Sequence, residues 1–488
     1  PILDEGVLRN FFEFARAYCE NIRNSTYDYL NVDAFDAYTS YYEAFRNSIK
    51  KMNERISEGM IDIYWAVVRE YRLNATKCNV NDLRPVYDAY HDLGIVVYDS
   101  GDSKRASEID AEYLEFVKEA NDVHALAKAL NALAYDLSAN HLYSQAYIHG
   151  KDSLKVAMDG VHHFAEEKEN ETAGRLYEFY NQFFMLPENN TDICQQGNEN
   201  VIKQNSDLLN TIYTIPEDED SVIIKRLWEQ ILTTRGNIPW YFIEDKESRV
   251  KYGRFALDYG TTTYLLRKYY YGADNPKTLQ SFHNTGAYLL KYAEYCLYGT
   301  ITDLSLNLSD AFVSAANIFN EAFQKRQNAL KKLPRVDKEK YFLNLEETSS
   351  KEIPGFLEIY SIEEIDECYK GDLAECPNEA LESLQYQSYS YYMLSKIQEN
   401  RANAESFLQK AMFLSDKVTI ARSIVLGPCH RKTLESMRYS AEYYFAAGFK
   451  EKAGIRIRYA FKHLRGNQIS TEQYEEYSRL CDEINGEE

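Results

Sequence analysis

Two places in this chain juxtapose side chains that could do chemistry. His162 and His163 are adjacent, and Cys429 precedes His430. A histidine pair suggests a metal, but neighbours on a helix point about 100° apart and seldom share one ion. A thiol beside an imidazole suggests a nucleophile and its base. Loop neighbours rarely hold that geometry, and no third group to orient the base is evident. Cys368 and Cys376 have seven residues between them, a spacing that matches no standard zinc motif. Acidic pairs such as Glu166-Glu167 and Glu363-Glu364 are expected by chance among 76 Asp and Glu, and read as solvated faces. There is no phosphate-binding Gly-x-x-x-x-Gly-Lys-Ser/Thr loop, no Gly-x-Gly-x-x-Gly fingerprint, no His-Glu-x-x-His and no Gly-x-Ser-x-Gly elbow. The sequence therefore assigns no catalytic residue, cofactor or metal, and the expectation is a non-enzyme.

What stands out instead is charge. Lys325, Arg326, Lys331, Lys332 and Arg335 form one basic stretch. Arg456, Arg458, Lys462, His463 and Arg465 form a second, with Arg431, Lys432 and Arg438 in the preceding helix. Such stretches complement a helix C-terminus and keep it solvated. The functional alternative is a local anion site for an acidic peptide. The whole chain carries a net charge of −21, which repels phosphate backbones and argues against general nucleic-acid binding.

The elements that carry these residues are helical. Pro and Gly number only 10 and 21 in 488 residues, too few for an all-β chain of this length. A chain this long exceeds one compact core unless it grows along an axis as a repeat array. Tyr is abundant, 42 against 23 Phe. Either a solenoid uses Tyr to bury rings while keeping hydroxyls wet, or the composition reflects lineage bias. The eight Cys are scattered without a CxxC pair, as in reduced cytoplasmic proteins. No run of about 18 apolar residues suggests a membrane span, and no signal peptide opens the chain.

Internal similarity supports the repeat reading. Leu426-Gly427-Pro428-Cys429-His430-Arg431-Lys432-Thr433-Leu434-Glu435-Ser436 echoes Tyr271-Gly272-Ala273-Asp274-Asn275-Pro276-Lys277-Thr278-Leu279-Gln280-Ser281, 155 positions earlier. Gly94 and Ala106 recur 40 positions on as Ala134 and Ala146, with Leu133, Leu137, His141 and Tyr143 between. Tyr444, Gly448, Phe449 and Ala453 make a similar turn near the end. These sets resemble the tetratricopeptide repeat family. In that family a Leu-small pair on the first helix lets the second approach, and a small residue opens the second helix. The Gly272–Leu279 connector resembles the longer repeats of kinesin light chains, with Asn275 in place of their His. In the later copy His430 is kept, while Cys429 and Arg431 replace the flanking Asp and Pro.

The resemblance implies an all-α, helical-repeat solenoid of antiparallel helix pairs. It also implies a concave surface lined by first helices. Carried over by position, the groove candidates are Asn131, Asn284 and Arg438, and the second basic stretch adds Arg456 and Arg458. The family's clamp for a C-terminal carboxylate is not recognisable. Close helix approach is expected at Gly286 and Ala441.

In order, amphipathic helices fill residues 1–75, with Asp33 opening the second. Leu186 to Asn205 and Pro334 to Pro354 read as linkers, dividing the chain into blocks 1–185, 206–333 and 355–488. Gly236-Asn237-Ile238-Pro239 reads as a helix break. Leu304 to Lys332 reads as one helix, and Thr471 to Ile484 as a polar cap. The expected function is a non-catalytic, cytoplasmic scaffold that binds a protein or peptide partner. The alternative is the sensor or regulatory part of a larger signalling or defence assembly whose effector lies elsewhere. The Pro1 start and the disjointed repeats motivate that alternative.

Overall fold

The computed structural model describes residues 5–23, 29–52, 58–183 except 79, 81, 101 and 121, 198–333 except 218 and 220, 337–349, 355–464 and 471–486. Among them there are helices and turns and no strand. The architecture is an all-α helical repeat. Contacts group the chain into two units: 1–167 with 226–234, and 168–225 with 235–488.

The first unit runs α1 (Glu5–Arg23), α2 (Tyr29–Met52), α3 (Glu58–Lys77), α4 (Arg84–Asp99), α5 (Ser103–Lys118), α6 (Val123–Ala139) and α7 (Tyr143–Glu167). Each helix packs on the next. Asp102 and Asp122 cap α5 and α6 by accepting backbone N–H bonds from Arg105 and Ala125. The turn into α7 passes through His141 at φ 61°.

The second unit begins with α8 (Glu171–Phe183), α9 (Asn198–Gln204) and α10 (Ser206–Tyr213). The C-terminal part of α11 (Val222–Glu244) follows, then α12 (Lys246–Tyr271), α13 (Pro276–Leu297) and α14 (Leu308–Ala329). Next come α15 (Lys338–Ser349), α16 (Phe356–Ile359), α17 (Ile362–Lys370) and a 3₁₀ turn, Asp372–Glu375. The unit ends with α18 (Asn378–Ile397), α19 (Arg401–Val425), α20 (Arg431–Ala446), α21 (Lys450–His463) and α22 (Thr471–Asn485). Packing passes directly from α14 to α18. Helices α15 to α17 are therefore an insertion in the ladder. They pack back on its later members, with Phe356, Tyr360 and Ile365 sharing a core with Ile420, Ile457 and Tyr459.

One device repeats along this ladder. Arg267, near the end of α12, donates through Nη1 to Ser281 Oγ at 2.8 Å and to the Lys277 carbonyl at 3.1 Å on α13. Arg422, near the end of α19, donates to Ser436 Oγ at 2.7 Å and to the Lys432 carbonyl at 3.1 Å on α20. Arg326, near the end of α14, donates to Ser383 Oγ at 3.0 Å and to the Glu379 carbonyl on α18. All three guanidiniums are buried. Each ties the last turn of one helix to the first turns of the next, where its charge also complements the helix C-terminus. The connectors match too: Gly272 and Gly427 both have positive φ, 92° and 107°, which only glycine adopts readily. Asn275 and His430 then cap α13 and α20, each accepting from the N–H two residues on.

The structure corrects several expectations. Helix α11 runs through Gly236–Pro239 without a break. Pro239 removes one ladder donor, and the Tyr288 hydroxyl donates to the Gly236 carbonyl at 3.0 Å in the turn before it. Helix α2 starts before Asp33. Of the first expected linker, 184–197 lie outside the described residues and 198–204 are helix α9. Of the second, 334–336 and 350–354 lie outside them, and α15 fills most of the rest. Gly101, Arg335 and Arg465 also lie outside them. The tyrosines are not mainly half-wet: Tyr38, Tyr90, Tyr288 and Tyr360 are fully or almost fully buried, and their hydroxyls find partners inside the protein.

Candidate functional site

The second unit presents one continuous face built from α13, α18, α20 and α22, in which each of these helices touches the next. Small residues make room for the backing helices. A Cβ on Gly286 would meet Ile318 Cγ2 at 2.9 Å and the Phe319 ring at 3.0 Å, both on α14. Ala441, its equivalent on α20, is fully buried.

The face is recessed. The surrounding protein desolvates the charges of Lys291, Glu382, Glu435 and Arg438. Their side chains nevertheless keep 31%, 28%, 37% and 14% of their accessible surface. A group can be both only where it lines a depression.

At the N-terminal edge of these helices, Glu382 and Glu435 lie near two of the buried guanidiniums. Burial pushes the Glu382 carboxyl up, but the charges of Lys432, Arg326 and Arg422 outweigh it and hold it below the usual range. Glu435 is held low in the same way, by Lys432 and Arg422. Lys432 sits 3.8 Å from Glu435. At the C-terminal edge, Lys291 pairs with Glu244 of α11 at 3.1 Å. Tyr389 donates to Glu294 at 2.7 Å. Lys396 sits 4.3 Å above the Tyr392 ring. Between the edges run Asn284, Tyr386 and Tyr439, one from each helix at the same register, three residues beyond the clasp serine. Burial raises the Tyr386 and Tyr439 hydroxyls, so both stay neutral phenols.

The candidates from sequence fall in different places. Asn284 is half-buried on α13 and accepts from Gln280 Nε2 at 2.9 Å. Arg438 stacks on Tyr439 at 4.2 Å and pairs with Glu442 at 3.7 Å. These two share the recessed face. Asn131 belongs to the first unit and is buried on α6. Arg456 is a correction: it is 4% exposed and points into the fold. It donates to Ser440 at 3.0 Å, pairs with Asp416 at 3.4 Å and stacks on Tyr444 at 3.9 Å. A buried, internally paired guanidinium cannot meet a partner without costly rupture of that pair. Arg458 is exposed on the same helix. Among the described residues the basic stretches do not converge into an anion site; Arg326 is itself a clasp.

Glu294 on α13, and Glu382, Tyr386 and Tyr389 on α18, were missed. Helix α18 holds the third copy of the repeat, Asn378-Glu379-Ala380-Leu381-Glu382-Ser383, which only the buried leucine and serine mark. His162 and His163 each face a glutamate four residues on, at 3.4 and 3.3 Å, on an exposed surface. The His430 Nδ1 is taken up by its cap, and Cys429 Sγ lies 3.9 Å from the Tyr459 hydroxyl. Among the described residues no group of three or more metal-ligating side chains gathers. No helix there is long and apolar enough to cross a membrane.

No protein-family model matches this chain. No curated protein matches it either. Among solved structures, 31 chains match. One is described as a circular tandem repeat protein with novel repeat topology and enhanced subunit contact surfaces. It is 14% identical, aligned over 99% of this chain and 97% of that chain with a TM-score of 0.20. At that score the likeness adds nothing to the geometry above.

Proposed function

We propose that this protein is a non-catalytic scaffold of the tetratricopeptide-like kind, and that the recessed face of its second unit holds a segment of a partner protein. The observation that carries the reading is the set of polar side chains that are enclosed by protein and still open to solvent, Lys291, Glu382, Glu435 and Arg438. Groups of this kind give orientation and specificity without a catalytic arrangement, because no nucleophile on the face has a base and an orienting group beside it. Asn284 and the tyrosines add donors and acceptors suited to a peptide backbone. A cytoplasmic setting accords with the thiols: Cys368 and Cys376 are free and buried, and burial pushes them up to about 11 and about 12.

The test is site-specific photocrosslinking in the native host. A benzophenone side chain placed at position 284 or 386 should trap one partner reproducibly. The same group at Arg401, 92% exposed on the second helix of its pair, should not. Equal trapping from both places, or none from the recessed face, would reject the reading.

A further inference from the structure

The charge that is still free on the recessed face indicates what kind of segment it takes. Three described cations of this face are already engaged. Lys291 is paired with Glu244, Arg438 with Glu442, and Lys396 is seated on Tyr392 and donates to the Tyr298 hydroxyl at 3.1 Å. The carboxylates are not all engaged. Glu294 accepts from the Tyr389 hydroxyl, and among the described residues no cation lies within ion-pair distance of Glu294 or of the exposed Glu476 on α22, which feel Lys291 and Arg438 only from further off. Beside Glu294 stand electron-rich rings from successive helices, its neighbour Tyr295, Tyr389, and Tyr439 at 5.8 Å from Tyr389, while Glu476 lies by Arg438 and Tyr477. The protein already seats its own cations on such rings here: Arg249 over Tyr295 at 3.9 Å and Arg438 over Tyr439 at 4.2 Å. A cation over a tyrosine face is attracted by the ring quadrupole, and more so where water is partly excluded.

Resting on the reading above, we infer that the recessed face takes an arginine- or lysine-bearing segment of a partner protein, with one cation placed at Glu294 among the tyrosine rings and another at Glu476 on α22. This is the opposite sign to the acidic peptide that the basic stretches suggested. Four members of those stretches face inward or are already paired, Arg326, Arg456, Lys432 and Arg438. The net charge of −21 adds a long-range field that draws a basic segment in and speeds encounter.

The experiment uses the full chain and three fluorescent amidated peptides, alternating Ala with Arg, Gln or Glu. Binding is read by anisotropy at about 150 mM salt, where only short-range charge contacts persist. The Arg peptide should bind and the Glu peptide should not. The double variant Glu294→Gln, Glu476→Gln should weaken the Arg peptide about tenfold. Glu115→Gln with Glu119→Gln, an equal charge change on exposed residues of the first unit, should change it less than about twofold. Each peptide also carries a benzophenone, and the Arg peptide should crosslink to 276–297, 378–397 or 431–446, a readout that does not depend on the variants folding well. Equal losses in both double variants, crosslinks elsewhere, or tighter binding of the Glu peptide would overturn the inference. Glu-peptide crosslinks on those helices would keep the scaffold reading while rejecting the basic segment. If none of the three peptides crosslinks there and position 386 traps nothing, both fall.

Discussion

Asp110 on α5 and Asp136 on α6 bury their carboxyl groups against each other in the first unit, each with 3% of its surface accessible. Burial raises both, and each negative charge would raise the other further; the nearest opposing charge, Lys128, is spent on Asp88 at 2.9 Å. The pair therefore keeps a proton that the same residues in an unfolded chain have lost.

The sign of the consequence follows directly. The folded state binds more protons than the unfolded state above the ordinary carboxylate value of 3.8. Stability from this pair is complete below about pH 4 and falls as pH rises through neutrality, with a slope of up to about 1.4 kcal/mol per pH unit while one extra proton is held. Asp136→Asn should flatten that slope and protect α5 and α6 at pH 8. Hydrogen exchange of those helices across pH, corrected for intrinsic rates, measures it; an unchanged pH dependence in the variant would reject the shared proton.

The three arginine clasps make a second expectation. Ser281→Ala, Ser383→Ala and Ser436→Ala each leave a buried guanidinium donor without its hydroxyl acceptor, at about 1–3 kcal/mol. Because the three sites are the same structural position, the three losses should agree closely. Ser281 and Ser436 share no partner, so their double variant should be additive. Urea titrations of the single and double variants provide the comparison. A loss at Ser281 and Ser436 with none at Ser383 would show that α14 and α18 are not a true copy of the unit.

Gly260 on α12 packs directly against the Tyr288 ring of α13. A Cβ on Gly260 would fall 2.4 Å from Tyr288 Cε2. The ring cannot swing aside cheaply, since Trp240 stacks on it at 4.8 Å and its hydroxyl holds the Gly236 carbonyl at 3.0 Å. Alanine favours a helix by about 1 kcal/mol over glycine, yet the clash should win. Gly260→Ala should lower stability by about 1–3 kcal/mol, and Gly260→Ala with Tyr288→Leu should recover part of it. Thermal unfolding of the two variants against the parent decides it; a Gly260→Ala chain as stable as the parent would show that the helices can shift apart.

Which parts of this were legible in the sequence depends on how locally each was encoded. The helix-pair turns were, because a connector needs a residue at positive φ and an N-cap. Gly272 with Asn275, and Gly427 with His430, announce both in a few residues. Gly286 and Ala441 were also legible, since close packing demands small side chains at one register. The third copy was not. An insertion separates Arg326 from Ser383, and Pro377 stands where the other copies carry the capping side chain. Arg456 was misread because a basic residue in a helix looks alike whether it faces water or a half-buried Asp416, 40 residues away across α20. The continuous helix through Pro239 was not legible either, because a proline can sit within a helix that neighbouring helices hold in place. The recessed face itself is a property of four helices together, and no single one of them displays it.

His430 provides the last test, because its role is electrostatic as well as local. It caps α20 by accepting the Lys432 N–H on Nδ1 at 3.2 Å, which requires a neutral ring. Burial, and then the charges of Arg431, Arg422 and Lys432, push its pKa down to about 4 from 6.5. The folded state thus binds fewer protons than the unfolded state between those values. Its contribution is complete above about pH 6.5 and is lost as pH falls through about 4. His430→Asn puts at this position the residue that caps α13, so it should keep stability at pH 7 and remove part of the loss on acidification. His430→Ala should cost about 1 kcal/mol at pH 7, the usual worth of a cap. Urea midpoints at pH 7 and pH 4.5 for the three chains separate these effects. If His430→Asn is as acid-sensitive as the parent, the ring is not what the proton reaches, and the cap is not neutral histidine.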